Sequence, residues 1–298
     1  MRAPRKSPVL EITDLHLEIE ADRQRTQILR GVDLSIDAGE VHGLVGESGA
    51  GKTMVGKVVL GIQPTQAKLT RGTVRFDGQD ITNISERARR ELMGKGLALI
   101  PQDPTTALNP AYRIGKQVTD VLRLHLGMNK AAARVRAFEL LSDVHIRSPK
   151  RVLQQYPHEL SGGMRQRVLI AIAFSCQPKL IIADEPTTAL DVTVQRQVLR
   201  LIKDLQANRG TALLFITHDF GVVAKICDRL TVLNAGRVLE QGTVRSTFEQ
   251  PKHAYTSALL KATPRYDRPG DELAPVPAKL TAELEEEAAA YDREAGHA

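Results

Sequence analysis

Between residues 9 and 45 apolar side chains fall at alternate positions: Leu10, Ile12, Leu15, Leu17 and Ile19, then Val32, Leu34 and Ile36. Successive side chains of a strand point to opposite faces, so this spacing predicts antiparallel strands with one buried face. The stretch GTVRFDGQDIT at 72–82 alternates in the same way around an Asp-Gly turn at 77–78 and joins them in a small β layer. Further on the period changes. Residues 85–95 and about 114–156 space their apolar positions as helices do, with Ile114, Val118, Val121 and Leu122 on one stripe. Short unbroken apolar runs at 180–183, 212–217 and 229–234 then read as strands buried on both faces. They alternate with helices near 163–176, 192–208 and 219–226. Such alternation predicts a mostly parallel, doubly wound sheet. No segment repeats, so the chain carries one unit rather than a tandem pair.

Residues 46–53, GESGAGKT, fit G-x-x-x-x-G-K-[ST] at every fixed position. A short buried strand precedes them (Glu40–Val45) and a helix-forming stretch follows (Met54–Leu60), which is the context this motif needs. Gly46, Gly49 and Gly51 let the backbone curl through Glu47, Ser48 and Ala50, so that successive N–H groups converge on phosphate oxygens. Lys52 adds a point charge for the β- and γ-phosphates, and Thr53 offers a hydroxyl to Mg²⁺. In LIIADE at 180–185, four apolar residues lead into two acids. The C-terminal ends of strands are where ligands bind in open α/β sheets. There Asp184 faces the metal and Glu185 the attacking water. Finally, LSGGM at 160–164 opens a helix. Ser161 with Gly162 and Gly163 reads either as an ordinary helix cap or as an anion site made of uncovered N–H groups.

Three weaker signals fall in order behind the same sheet: Gln102 in IPQDP, Ala189-Leu190-Asp191, and His218 in LLFITHD. Together these motifs resemble the ATP-binding subunit of ABC transporters over roughly residues 9–265. The resemblance implies an α/β fold. A RecA-like P-loop NTPase core would carry an N-terminal antiparallel β layer and a helical ABC subdomain at about 103–160. It implies ATP and Mg²⁺, with Gln102 as the Q-loop glutamine on the metal, Leu190-Asp191 in the D-loop, and His218 as the switch histidine on the γ-phosphate. It also implies that Ser161, Gly162 and Gly163 serve nucleotide bound by a second ABC ATPase subunit, of the same or a different chain. Two membrane-spanning permease subunits are further implied, with an external solute-binding protein acting indirectly.

DPTTALNP at 103–110, YPHELSGGM at 156–164 and PKHAYTSALLKATP at 251–264 narrow the resemblance to the peptide, dipeptide, oligopeptide and nickel importers. His253-Ala254-Tyr255-Thr256 has Ala where that group has Pro. Its plain structural reading is an amphipathic helix docked through Leu259 and Leu260. Two departures stand out. The family's adenine-stacking aromatic is missing from Arg23–Leu29, where Thr26 or Gln27 stands near the spot; stacking is then weaker, or supplied by the plane of Arg25. Nor does any cysteine follow Cys227, so no iron–sulfur cluster is expected.

The chain has 298 residues, 42% of them apolar, enough for one large core. No run of eighteen apolar residues occurs, so no segment is expected to span a membrane. The basic stretch Met1–Pro8 lacks the apolar core of a secretory signal. Cys176 and Cys227 lack metal-ligand spacing and read as reduced, mostly buried thiols. A net charge of +6 tempts toward nucleic acid, but the basic residues are scattered, with clusters such as Arg87-Arg89-Arg90. Anionic lipid near a membrane-docked subunit, or plain solvation, accounts for the excess as well. The expected place is the cytoplasmic face of the plasma membrane, peripherally, with no nucleic-acid partner. The alternative is a soluble ABC ATPase acting on DNA or ribosomes. Those relatives carry paired nucleotide units or a long coiled-coil insert, and neither occurs here. Residues 266–298 form an acidic, alanine-rich extension, either an interfacial helix or a disordered tail.

Overall fold

In the computed structural model, which describes residues 8–21, 24–188, 190–263 and 275–294, two long strands open the chain. β1 (Pro8–Ala21) and β2 (Gln24–Asp37) pair antiparallel, with Leu10 opposite Ile36, Ile12 opposite Leu34 and Leu17 opposite Leu29. These six side chains are buried, as the alternation requires. The next elements are β3 (Val41–Val45), α1 (Lys52–Leu60), β4 (Ala67–Phe76) and β5 (Gln79–Asp80). One antiparallel sheet runs β2-β1-β4-β5. Asp77 and Gly78 both have positive φ at the β4–β5 turn, the conformation a two-residue hairpin needs and an Asp-Gly pair tolerates.

The chain divides into two compact units, residues 1–84 with 214–298, and residues 85–213. The second unit holds α2 (Glu86–Leu92), β6 (Leu97–Ile100), α3 (Pro104–Ala107), α4 (Ile114–Leu126), α5 (Lys130–Asp143), α6 (Pro149–Val152), α7 (Gly162–Phe174), β7 (Leu180–Asp184) and α8 (Val192–Arg209). It is wider than the helical insert expected at 103–160 and includes two strands. β6 and β7 are parallel, with Ile100 opposite Ala183. Of the predicted stripe, α4 buries Ile114, Val118 and Leu122, while Val121 is half-buried. α7 is packed by α3, α4, α5, α8 and β6, and Val168, Leu169, Ile170, Ala171, Ala173 and Phe174 are all buried. A helix apolar around most of its girth belongs in the centre of a unit.

The chain returns to the first unit along β8 (Ala212–Thr217). It continues through α9 (Phe220–Ile226), β9 (Arg229–Asn234), β10 (Arg237–Thr243), α10 (Val244–Glu249), α11 (Ala254–Ala262) and α12 (Ala278–Glu294). Strand β9 runs parallel to β3, with Val45 opposite Val232, and antiparallel to β10; the order within the unit is β10-β9-β3-β8. Val45, Phe220, Val232, Tyr255, Leu259 and Leu284 share one core cluster. The extension left open by the sequence is helical over 278–294. Leu284 and Ala288 are buried, and Asp292 accepts two hydrogen bonds of 2.7 Å from the Arg30 guanidinium. The rest of the extension, 266–274 and 295–298, lies outside the described residues.

Candidate functional site

The glycine loop leaves β3 at Gly46. A Cβ there would stand 2.0 Å from the Leu233 carbonyl oxygen, so no side chain fits. Gly51, at φ +96°, caps α1 with a left-handed turn. No side chain caps this helix, so its first N–H groups are left to the loop. Lys52 is 5% exposed and folds back into the loop, donating to the carbonyls of Gly46 (2.8 Å) and Glu47 (2.7 Å). Gly236, in the β9–β10 turn, donates its N–H to the Ala50 carbonyl at 3.0 Å and ties the loop down. Glu47, Ser48 and Gly49 form the exposed crest, and Thr53 is half-buried on the first turn of α1. Loop amides, an uncapped helix end and a buried ammonium form a donor set that fits a polyphosphate.

At the ends of β6 and β7, register explains a meeting. Ile100 faces Ala183, so two residues on Gln102 comes opposite Glu185. Gln102 Nε2 donates to Glu185 Oε2 at 3.2 Å, and the Thr188 hydroxyl donates to the same oxygen at 3.0 Å. Glu185 has φ +43°, a left-handed conformation a glutamate seldom adopts. Such strain persists only where the surroundings impose it, and it clusters at functional sites. Asp184 closes β7, half-buried beside it.

The signature segment caps α7. Ser161 Oγ accepts from the Met164 N–H at 3.4 Å, so one of the first amides is covered while those of Gly162 and Gly163 are not capped by it. The two glycines differ. A Cβ on Gly163 would lie 2.8 Å from Val194 Cγ1 of α8, whereas one on Gly162 meets nothing within 4 Å. Ser161, Gly162, Gly163, Leu190 and Asp191 line one open cleft of about 380 Å³, and Met164 lines it too. Asp191 accepts from the Thr193 and Val194 N–H groups and so caps α8. Ala189 lies outside the described residues. A larger cleft, about 770 Å³, opens along α7 and α8 between Arg147, Arg151, Arg167 and Arg200, and none of the expected site residues lines it.

His218 is exposed at the C-terminal end of β8, and Asp219 after it caps α9 through the Gly221 and Val222 N–H groups. Of the residues near the expected adenine position, Gln27 is buried in β2 and donates to the Leu29 carbonyl at 2.7 Å; its side chain is spent inside the sheet. Thr26 and Arg25 are exposed. Sequence reasoning missed two anchors. Tyr255, fully buried, donates its O–H to Glu47 Oε2 at 2.8 Å. Glu240 accepts the N–H groups of Lys252 (2.9 Å) and His253 (3.0 Å) ahead of α11. Burial would push this carboxyl's pKa up, but the hydrogen bonds it accepts outweigh that and hold it below the ordinary value. Tyr255 stood in the His-Ala-Tyr-Thr segment that the sequence marked, but nothing in its spacing pointed to the loop 208 residues away.

A phosphate-type glycine loop between a buried strand and an uncapped helix, with two acids behind a second parallel strand, is the layout of a P-loop NTPase. Residues 29–188 match the family model described as ABC transporter. Over 262 residues the chain is 46% identical to a probable peptide ABC transporter ATP-binding protein of Sinorhizobium fredii, covering 88% of this chain and 78% of that protein. It is 45% identical over 269 residues to an oligopeptide transport ATP-binding protein of Bacillus subtilis, covering 90% and 75%. Among solved structures, it superposes with a TM-score of 0.71 and 26% identity on an ATP-binding cassette whose dimer holds ADP and Pi, covering 79% of this chain and 99% of that one. The chain belongs to the ABC transporter family, as one of its ATP-binding subunits. Its fold is the α/β RecA-like P-loop core with an antiparallel β layer, and it is an ATPase that couples energy to import.

Proposed function

We propose that the chain energises import of peptides or similar small solutes, with residues 9–265 as its nucleotide-binding domain. In this reading it sits peripherally on the cytoplasmic face of the plasma membrane. There it pairs with a second ATPase subunit and two membrane-spanning subunits, and a separate binding protein delivers the solute from outside. Support for the cargo class comes from the peptide and oligopeptide transport relatives. Among the described residues no helix is long and apolar enough to cross a membrane. The soluble alternative, on DNA or ribosomes, is not favoured. Arg87 and Arg90 of the basic cluster pair with Glu91 and Glu86 one turn away on α2, which takes charge out of any nucleic-acid patch.

In the mechanism, the amides of residues 46–51 and Lys52 would hold the phosphates, and Thr53, Asp184 and Gln102 would hold Mg²⁺. When bound, MgATP supplies the phosphoryl group and the metal charge that offsets its negative oxygens. Glu185 orients the attacking water and accepts its proton at the carboxylate. His218 donates toward the γ-phosphate. Gly162 and Gly163 present their N–H groups to nucleotide held by the second subunit, excluding water as the two close together. The observation that carries this reading is Glu185, strained into a left-handed turn and held through one oxygen by both Gln102 and Thr188. Glu185→Gln should lower ATP turnover by about a hundredfold or more while nucleotide affinity stays within a few-fold of wild type. Lys52→Ala should lose affinity instead, as calorimetry would register. Wild-type turnover in the Glu185→Gln protein would refute the assignment.

A further inference from the structure

Residues 253–256, His-Ala-Tyr-Thr, take no part in the mechanism above, yet the structure ties them to it. Glu240 on β10 accepts the N–H groups of Lys252 and His253, which fixes where α11 begins. The His253 ring then accepts the Tyr255 N–H at 3.1 Å, capping the helix. Tyr255 is left with no exposed surface, its ring in the cluster with Val45, Phe220, Val232 and Leu259. Val45 is the last residue of the strand that feeds the glycine loop. From that buried ring the hydroxyl donates to the exposed Glu47 side chain of the loop at 2.8 Å, and it also has the Asn234 side chain at the end of β9 as a hydrogen-bond partner. Burial, with the Glu47 carboxylate adding to it, pushes the Tyr255 hydroxyl's pKa up, so it stays a donor at any physiological pH.

A carboxylate on a phosphate-binding loop is an awkward neighbour, because like charges repel at short range. An O–H donor both fixes its direction and draws off part of its charge. We infer that Tyr255 is a positioning residue for the nucleotide, its hydroxyl clamping Glu47 so that the loop meets phosphate with amides and Lys52 rather than with a swinging negative charge. The inference rests on residues 46–53 being the nucleotide loop. It gives the C-terminal segment a direct link to nucleotide affinity, at a position no motif of the catalytic core covers.

The test is MgATP binding by calorimetry to the full-length chain, with melting temperature measured in parallel without nucleotide. Tyr255→Phe keeps the ring in the core and removes only the oxygen. It should weaken binding by roughly fivefold, the scale of one hydrogen bond to a charged group partly expressed. Glu47→Ala removes the carboxylate that the hydroxyl clamps and provides, whatever its own affinity for MgATP, the background for the second comparison. In the Glu47→Ala background, Tyr255→Phe should then change affinity less than about twofold. Equal weakening by Tyr255→Phe in both backgrounds would mean that the hydroxyl acts through a partner other than Glu47, such as the Asn234 side chain, and the inference fails. It also fails if Tyr255→Phe binds like wild type while Lys52→Ala is weakened. If Lys52→Ala itself binds normally, the nucleotide-loop assignment falls first, which separates the two failures.

Discussion

Gly162 and Gly163 are glycines for different physical reasons. Gly163 lets α7 approach α8, since a methyl group there would press on Val194 at 2.8 Å. Gly162 has no such neighbour, and its openness has no use within its own unit. Gly163→Ala should therefore destabilise the chain by about 1 kcal/mol through overpacking, seen as a lower melting temperature. Gly162→Ala should leave the melting temperature unchanged yet cut ATP turnover about tenfold or more, because a misplaced group at a phosphoryl site is costly. Normal turnover with Gly162→Ala would argue that the signature meets no ligand. Residue-level chemistry was the part most legible in the sequence. Lys52, Asp184, Glu185 and Gln102 were readable because each sits at a fixed offset from a buried strand end. What could not be read was conformation. The left-handed φ of Glu185 and the Ser161 cap on the Met164 amide leave no mark on composition or spacing.

At the scale of elements, α11 shows how one buried acid can place a helix. Glu240 is 8% exposed and accepts two backbone N–H groups that would otherwise lack partners at the start of α11. Its pKa is lowered in the folded chain, so its contribution is fully present above the unfolded carboxylate pKa of about 4.3. That contribution is lost as the pH falls through the lower folded value. Glu240→Gln should cost about 1–2 kcal/mol at pH 7, and the gap in melting temperature should shrink toward pH 3. A gap that stays constant with pH would show that charge is not what matters. Strands β1, β2, β3, β4, β7, β8 and β9 were legible because alternation or unbroken apolar runs marked them. Strand β10 was not: RVLEQGT is largely polar, and a register shift between Val238 and Glu240 breaks its alternation. Helix α12 was ambiguous because Leu284 and Ala288 are too few to form a stripe. Its place is set by contacts from far along the chain, Arg30 on Asp292 and the His16 ring stacked with Tyr291 at 6.1 Å.

Seen whole, the molecule splits its chemistry between two units. The glycine loop and His218 belong to one, and Gln102, Asp184, Glu185 and the signature belong to the other. Within each unit the residues concerned stand at strand ends and helix starts. The sequence carried the motifs of both units, but not the contact between Tyr255 and Glu47, which are 208 residues apart. An ATPase that works on a membrane assembly should be recoverable with that assembly. The most direct test is to recover tagged Glu185→Gln chain with MgATP from detergent-extracted membranes of its source cells and identify what accompanies it. Two membrane-spanning subunits should accompany it, together with a second ABC ATPase or a second copy of this chain. Recovery with ribosomes or DNA, and with no membrane-spanning protein, would contradict this.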